Sequence, residues 1–198
     1  MPPVVDGEPI EIVAYDSRWP VRFSEEAARV SRALGDRVVA IEHVGSTAVA
    51  GLAAKAVIDV LAAVGDLDRW EELRPALRAE GYDHEPAGDM EGRSFFRRFD
   101  NGVRMAHLSL SALETRFWRD HVAFRDALRA DPLLARRYAA LKRRLAREVG
   151  HDRRAYTDGK DEFISTALRA RGAAGGIARL KAPARPPRGR NRSSGGSS

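Results

Sequence analysis

Gly45-Ser46-Thr47 forms a short run of small and hydroxyl residues, and Asp59 is a lone carboxylate inside the apolar stretch that follows it. Gly45 allows a ligand to approach the backbone closely, Ser46 offers a hydroxyl and an amide, and Thr47 adds a donor where a helical turn begins. Such a turn can hold phosphate oxygens through its backbone donors. It can equally be a plain structural turn. It is not a P-loop, because no Gly-Lys-Ser/Thr follows at the required spacing. An unpaired buried carboxylate is strongly disfavoured, so Asp59 must sit at a strand end, meet a cation or hydrogen-bond donors, or be protonated. Its hard oxygens suit Mg²⁺, which binds through carboxylates together with substrate phosphates. The alternative is an anchor for Lys55 or for a backbone turn. His107 can contact phosphate or exchange a proton, or serve as a hydrogen-bonded structural histidine. Lys55, Arg125, Lys142 and Lys160 could balance a triphosphate if the C-terminal half folds over the sheet edge; by composition they read as solvated charges.

The elements that must position these groups follow from periodicity. Val38, Val39, Ile41 and Val44 predict one strand, and Ala56 through Val64 predict a second that is buried on both faces. Ahead of them Trp19, Phe23, Ala27, Val30 and Leu34 repeat at helical spacing, with Ser17 as a cap and Gly35 as a stop. A helix opening at Asp66 or Asp68 carries Trp70, Leu73 and Leu77 on one face and ends at Gly81. Residues 85–92 read as a loop, and residues 94–99 and 103–110 read as a hairpin turned by Asn101-Gly102. Three helices complete the chain: Glu114 through Ala130, one opened by Asp131-Pro132, and one over residues 156–171. The predicted class is α+β, a small mixed sheet with packed helices and a helical C-terminal half.

The residues His43, Gly45, Ser46, Thr47, Gly51, Leu52, Lys55 and Asp59 fit the pattern His-x-Gly-Ser-Thr-x-x-x-Gly-Leu-x-x-Lys-x-x-x-Asp. This pattern resembles that of the GrpB family within the nucleotidyltransferase superfamily. Residues 15–20 (YDSRWP), 105–110 (MAHLSL), 124–128 (FRDAL), 138–142 (YAALK) and 156–164 (YTDGKDEFI) resemble further family blocks in the same order, over residues 10 to 171 in all. The resemblance implies a nucleotidyltransferase-like fold whose Gly-Ser turn holds nucleotide phosphates and whose Asp59 holds Mg²⁺. Asp59 and His107 are then the candidates for the catalytic step. Gly45, Ser46, Thr47, Lys55, Arg125, Lys142, Tyr156 and Lys160 are the candidates for phosphate and substrate contact. The sequence departs from the superfamily pattern where a second acid is expected two residues after the first, because Leu61 stands there. Residues 103–110 supply no third acid, and Ser109 stands where the family often has another histidine. Two functions are compatible with this set. One is binding of a nucleotide or other phosphorylated small molecule with Mg-dependent nucleotidyl transfer to a small acceptor. The other is a non-catalytic ligand-binding or accessory module linked to coenzyme A metabolism, since similar domains occur fused to dephospho-coenzyme A kinase.

The net charge of +6 comes from 34 basic and 28 acidic residues, and residues 172–198 hold six basic residues and no acid. The body is therefore neutral. The basic segment, rich in Pro, Gly, Ser and Arg, is expected to be a disordered tail with some capacity for non-specific nucleic-acid contact by counterion release. Residues 1–171 are expected to form the folded domain. The chain has no cysteine, which excludes disulfides and thiolate metal sites, and no apolar run reaches membrane-spanning length. A cytoplasmic protein without membrane contact is the expectation.

Overall fold

A computed structural model describes residues 10–172. Its strands are β1 (Val38–Val44), β2 (Ile58–Val64), β3 (Tyr82–His84), β4 (Ser94–Asp100) and β5 (Val103–Ser111). They form one five-stranded mixed sheet in the order β1-β2-β5-β4-β3. The β2-β5 pair is parallel and the other pairs are antiparallel. The fold is α+β, as the patterning predicts.

Alternation along β2 explains why its apolar run is continuous. Ile58, Val60, Ala62 and Val64 face a core shared with Trp19, Val30 and Leu34 of α1 (Trp19–Leu34) and Leu77 of α2 (Arg74–Ala79). Leu61 and Ala63 face the other way, against Val44 and the Phe117 and Trp118 side chains of α3 (Arg116–Ala130). Both faces of β2 are thus covered, and Asp59 lies at its start on the Leu61 face. On the far strands a buried ion pair ties α1 to the sheet: Glu26 accepts from the Arg98 guanidinium and from the Tyr82 hydroxyl at 2.6 Å.

The helical half consists of α4 (Pro132–Val149), α5 (Arg153–Asp158) and α6 (Asp161–Ala170). It docks onto the segment between β1 and β2. Val49 and Leu52 of that segment are buried with Phe124, Leu128, Tyr138, Ala139, Ile164 and Leu168. This seam draws α4 to α6 over the Gly45 turn.

Four local features differ from the periodicity reading. The expected helix from residue 66 or 68 is a 3₁₀ turn over Trp70–Leu73 that runs into the short α2, because Pro75 belongs in a first turn. Tyr82–His84, to which the periodicity assigns no element, is a strand. The expected helix over 156–171 is two helices broken at Gly159, where an added Cβ would lie 2.7 Å from Leu145. The first helix is preceded by an Asp16–Arg18 ion pair rather than a Ser17 cap. The hairpin turn is as read: Asn101 and Gly102 both have positive φ, the conformation a two-residue turn between twisted strands requires. Among the described residues no helix is long and apolar enough to cross a membrane. The expected basic tail lies outside the described residues except for Gly172.

Candidate functional site

The turn at the end of β1 and the start of β2 are brought together by the β1-β2 register, in which Val44 is paired with Asp59. Gly45 has φ 70° and ψ −169°, a region open essentially only to glycine. An added Cβ there would lie 2.3 Å from Oδ2 of Asp59. Glycine is therefore required twice at this position, by the backbone angle and by the carboxylate that packs against it. Ser46–Ala48 then forms one 3₁₀ turn. Ser46 bears on the Tyr138 hydroxyl of α4 and acts to lower its pKa against the burial that raises it. Thr47 is buried, its Oγ1 3.0 Å from Nε2 of His43.

The parallel β2-β5 register places His107 directly beside Asp59. Nδ1 of His107 lies 3.0 Å from Oδ1 of Asp59, with the two side chains 20% and 39% exposed. Burial acts to raise the Asp59 pKa, yet the hydrogen bond and charge of His107 and the charges of Lys55 and Lys160 outweigh it and hold the carboxyl below its ordinary value. Burial lowers the His107 pKa against the opposing pull of Asp59. The pair at neutral pH is thus carboxylate and neutral imidazole, with Nδ1 donating to Oδ1 and Nε2 left as the unprotonated ring nitrogen.

Cations surround this pair. Lys55 and Lys160 both lie over the Tyr156 ring, with Nζ 5.1 Å and 4.6 Å from its centroid. Burial lowers the Lys55 pKa, and it lowers that of Lys160 to about 8 with help from the charge of Lys55. Lys142 is 2% exposed; its ammonium donates to the Ala53 carbonyl, and burial followed by the charge of Lys160 brings its pKa to about 7. Asp59 is the carboxylate that favours the charged form of all three.

Arg125 goes elsewhere. Its guanidinium donates to Glu42, to Asp126 at 2.8 Å and to the His43 carbonyl at 3.1 Å, which fastens α3 to β1. It lines a separate groove of about 1140 Å³ between α1, the residue 47–53 segment and α4, which none of Asp59, Lys55, His107 and Lys160 lines. His43 belongs with that wall, stacked on Phe23 at 4.4 Å and kept neutral by burial, which lowers its pKa to about 4. Gly45, Ser46, Lys55, Asp59, His107, Lys142, Tyr156 and Lys160 therefore lie apart from that groove, whereas Thr47, expected as a phosphate contact, lines it with His43 and Arg125.

Two arginines absent from the sequence reading act on the site. Arg93, just before β4, lies 4.3 Å over Phe95, and burial lowers its pKa to about 10 against the pull of Asp59. Arg104 bears on both His107 and Lys55. Simple alternation would put Arg104 and His107 on opposite faces. The register shift in which Arg98 pairs with Ala106 and Phe99 with Arg104 accommodates an extra residue, Met105, and returns Arg104 to the His107 face. A bulge of this kind leaves no mark in the sequence pattern.

Among the described residues the side chains do not by themselves make up a divalent-metal centre. Asp59 contributes one carboxylate, with Oδ1 taken by His107 and Oδ2 packed at Gly45. Leu61, at the position of the expected second acid, is 0% exposed beneath Phe117 and Trp118. Among the described residues no three His, Cys, Asp or Glu side chains are grouped to hold a metal. What the geometry offers is a group of cations around one carboxylate, with a proton-accepting imidazole beside it.

Comparison with known proteins gives a consistent picture. The model of the family described as GrpB protein matches residues 9–170. The UPF0157 protein YqkA of Bacillus subtilis is 34% identical over 80% of this chain, which spans only 46% of that protein. The glutamate-rich protein GrpB of Alkalihalophilus pseudofirmus is 31% identical over 82% of this chain and 95% of its own length. A protein named dephospho-CoA kinase from Mycolicibacterium paratuberculosis is 31% identical over 81% of this chain, which spans 46% of it. Among solved structures, the conserved protein GrpB from Enterococcus faecalis superposes with a TM-score of 0.73 at 29% identity, covering 81% of this chain and 96% of that one.

Proposed function

The chain belongs to the GrpB family, and from that premise we propose that it binds a nucleotide or another phosphorylated small molecule at the edge formed by Gly45, Ser46 and Asp59. The observation that carries this reading is the crowding of cations at Asp59, the one carboxylate that bears on all of Lys55, Lys142, Lys160 and Arg93. Clustered cations repel one another and lose hydration on burial, so they are held together at a cost that an anionic ligand relieves. The Gly45–Thr47 turn beside them supplies backbone donors of the kind that hold phosphate oxygens. The placement of a Gly-Ser turn next to a strand carboxylate is also what a nucleotidyltransferase-type scaffold provides.

If transfer to a small acceptor follows binding, His107 is the group placed to take the acceptor's proton. Its Nε2 is unprotonated because Nδ1 donates to Asp59, and Asp59 stabilises the imidazolium that results. The test presents the purified chain with each nucleoside triphosphate and follows binding by calorimetry and pyrophosphate release by a coupled assay. Binding that survives His107→Asn while release is lost supports the assignment. No binding of any triphosphate removes the proposal.

A second reading is favoured by the similarity to about half of a protein named dephospho-CoA kinase. On it the chain is an accessory module that holds a phosphorylated coenzyme A precursor without turnover. Tight binding of dephospho-coenzyme A with no product over hours would select this reading.

A further inference from the structure

Resting on the phosphate-binding reading above, we propose that Lys55 and Lys160 stand in for the divalent cation, so that the ligand is a diphosphate or longer phosphate chain bound as the free anion. Three observations converge on this. First, the single carboxylate that would hold a metal already accepts from His107 at Oδ1, and its Oδ2 lies against Gly45. Second, the space where a second acid would stand is filled by Leu61 and the aromatic side chains of α3. Third, two ammonium groups share the Tyr156 ring, 5.1 Å and 4.6 Å from its centroid, and so lie within 10 Å of one another beside Asp59.

A metal bound to a phosphate chain neutralises charge and holds the chain in one shape. Paired ammonium groups on a rigid support can do the first and part of the second. The ring of Tyr156 is buried at 1% exposure, so it is a fixed support near both lysines. Lys55 and Lys160 lie over one ring beside Asp59, each near enough to hold its own phosphoryl group. A single phosphate monoester, carrying roughly −1.5 to −2 at neutral pH, offers one phosphoryl group to two ammonium groups. A diphosphate or triphosphate offers one to each. Magnesium added to such a site would compete with the lysines for the same oxygens.

The experiment is calorimetric titration of the full chain with inorganic pyrophosphate, inorganic phosphate and ATP, each in EDTA and in excess Mg²⁺. The expected result is binding of pyrophosphate and ATP in EDTA, inorganic phosphate weaker by tenfold or more, and affinity for all three lowered severalfold by Mg²⁺. Lys55→Met and Lys160→Met, which keep the stem length, should each weaken pyrophosphate binding at least tenfold with an unchanged circular dichroism spectrum. Arg136→Ala, in the other groove, should leave it unchanged. Binding that appears only with Mg²⁺ overturns the inference and leaves the phosphate-binding reading standing. Absence of binding under both conditions overturns the two together.

Discussion

Replacing Lys142 by methionine should stabilise the protein at pH 7 and destabilise it at pH 10. The ammonium is buried at 2% exposure, and burial together with Lys160 moves its pKa from 10.5 to about 7. Between those values the unfolded chain holds a proton that the folded protein has released, so stability rises with pH across that window. At 1.36 kcal/mol per pH unit, folding at pH 7 carries a penalty of about 4 kcal/mol from this group, and at pH 10 a penalty of about 1 kcal/mol. Methionine has a similar length and no proton to lose. It leaves the Ala53 carbonyl without its donor, a loss of about 1–3 kcal/mol. The balance at pH 7 is a gain of about 1–3 kcal/mol, and at pH 10 a loss of up to about 2 kcal/mol. Urea denaturation of both proteins at pH 7, 8.5 and 10, with m-values compared to exclude changes in the unfolded state, measures it. A difference between the two proteins that is the same at every pH would refute the reasoning, because it would mean the amine titrates alike in the folded and unfolded states.

Gly45→Ala should lower stability by about 2–4 kcal/mol, from its Gly-only backbone angle and the collision with Asp59. In a double-mutant cycle Asp59→Ala should recover the collision and not the backbone strain, read by thermal denaturation with a coupling of about 1 kcal/mol or more. Leu61→Asp, which places an acid two residues after Asp59, should unfold or severely destabilise the chain rather than create a metal site, since the position lies under Phe117 and Trp118. A folded Leu61→Asp protein that binds Mg²⁺ would contradict the packing argument. Pyrophosphate affinity should fall as pH rises from 7 to 9, by up to about tenfold per unit per proton, because Lys142 and Lys160, with pKa values of about 7 and 8, must be protonated to hold an anion. An affinity flat across that range would remove these lysines from the site.

What the sequence disclosed and what it withheld follow a physical division. α1, β1, β2, the hairpin and α4 are long enough for their hydrophobic period to identify them, and Asn101-Gly102 marks its own turn. β3 is three residues, and the Tyr82 hydroxyl that anchors it bonds to Glu26, 56 positions away. No local pattern encodes such a partner. The α5-α6 break depends on Leu145 pressing on Gly159, again a tertiary contact. At the site, Gly45, Ser46 and Asp59 stood out because a small-residue turn and an isolated acid are rare within apolar runs. Arg104 did not, since it reaches the His107 face through a bulge, and Arg125 looked like its neighbours in kind while Glu42 draws it to another groove. Charge type is written in the sequence; the partner that captures a charge is decided by packing.

The central claim, that a phosphate chain binds between the Gly45 turn and the lysines on Tyr156, is tested most directly by mapping where the ligand lands. Backbone and lysine-side-chain NMR shifts of the labelled full chain, titrated with pyrophosphate in EDTA, should move at Gly45, Ser46, Lys55 and Lys160 and remain still at Arg129 and Arg136 in the other groove. Shifts confined to Arg125, Arg129, Arg136 and Arg143, with the Gly45 turn unmoved, would contradict it.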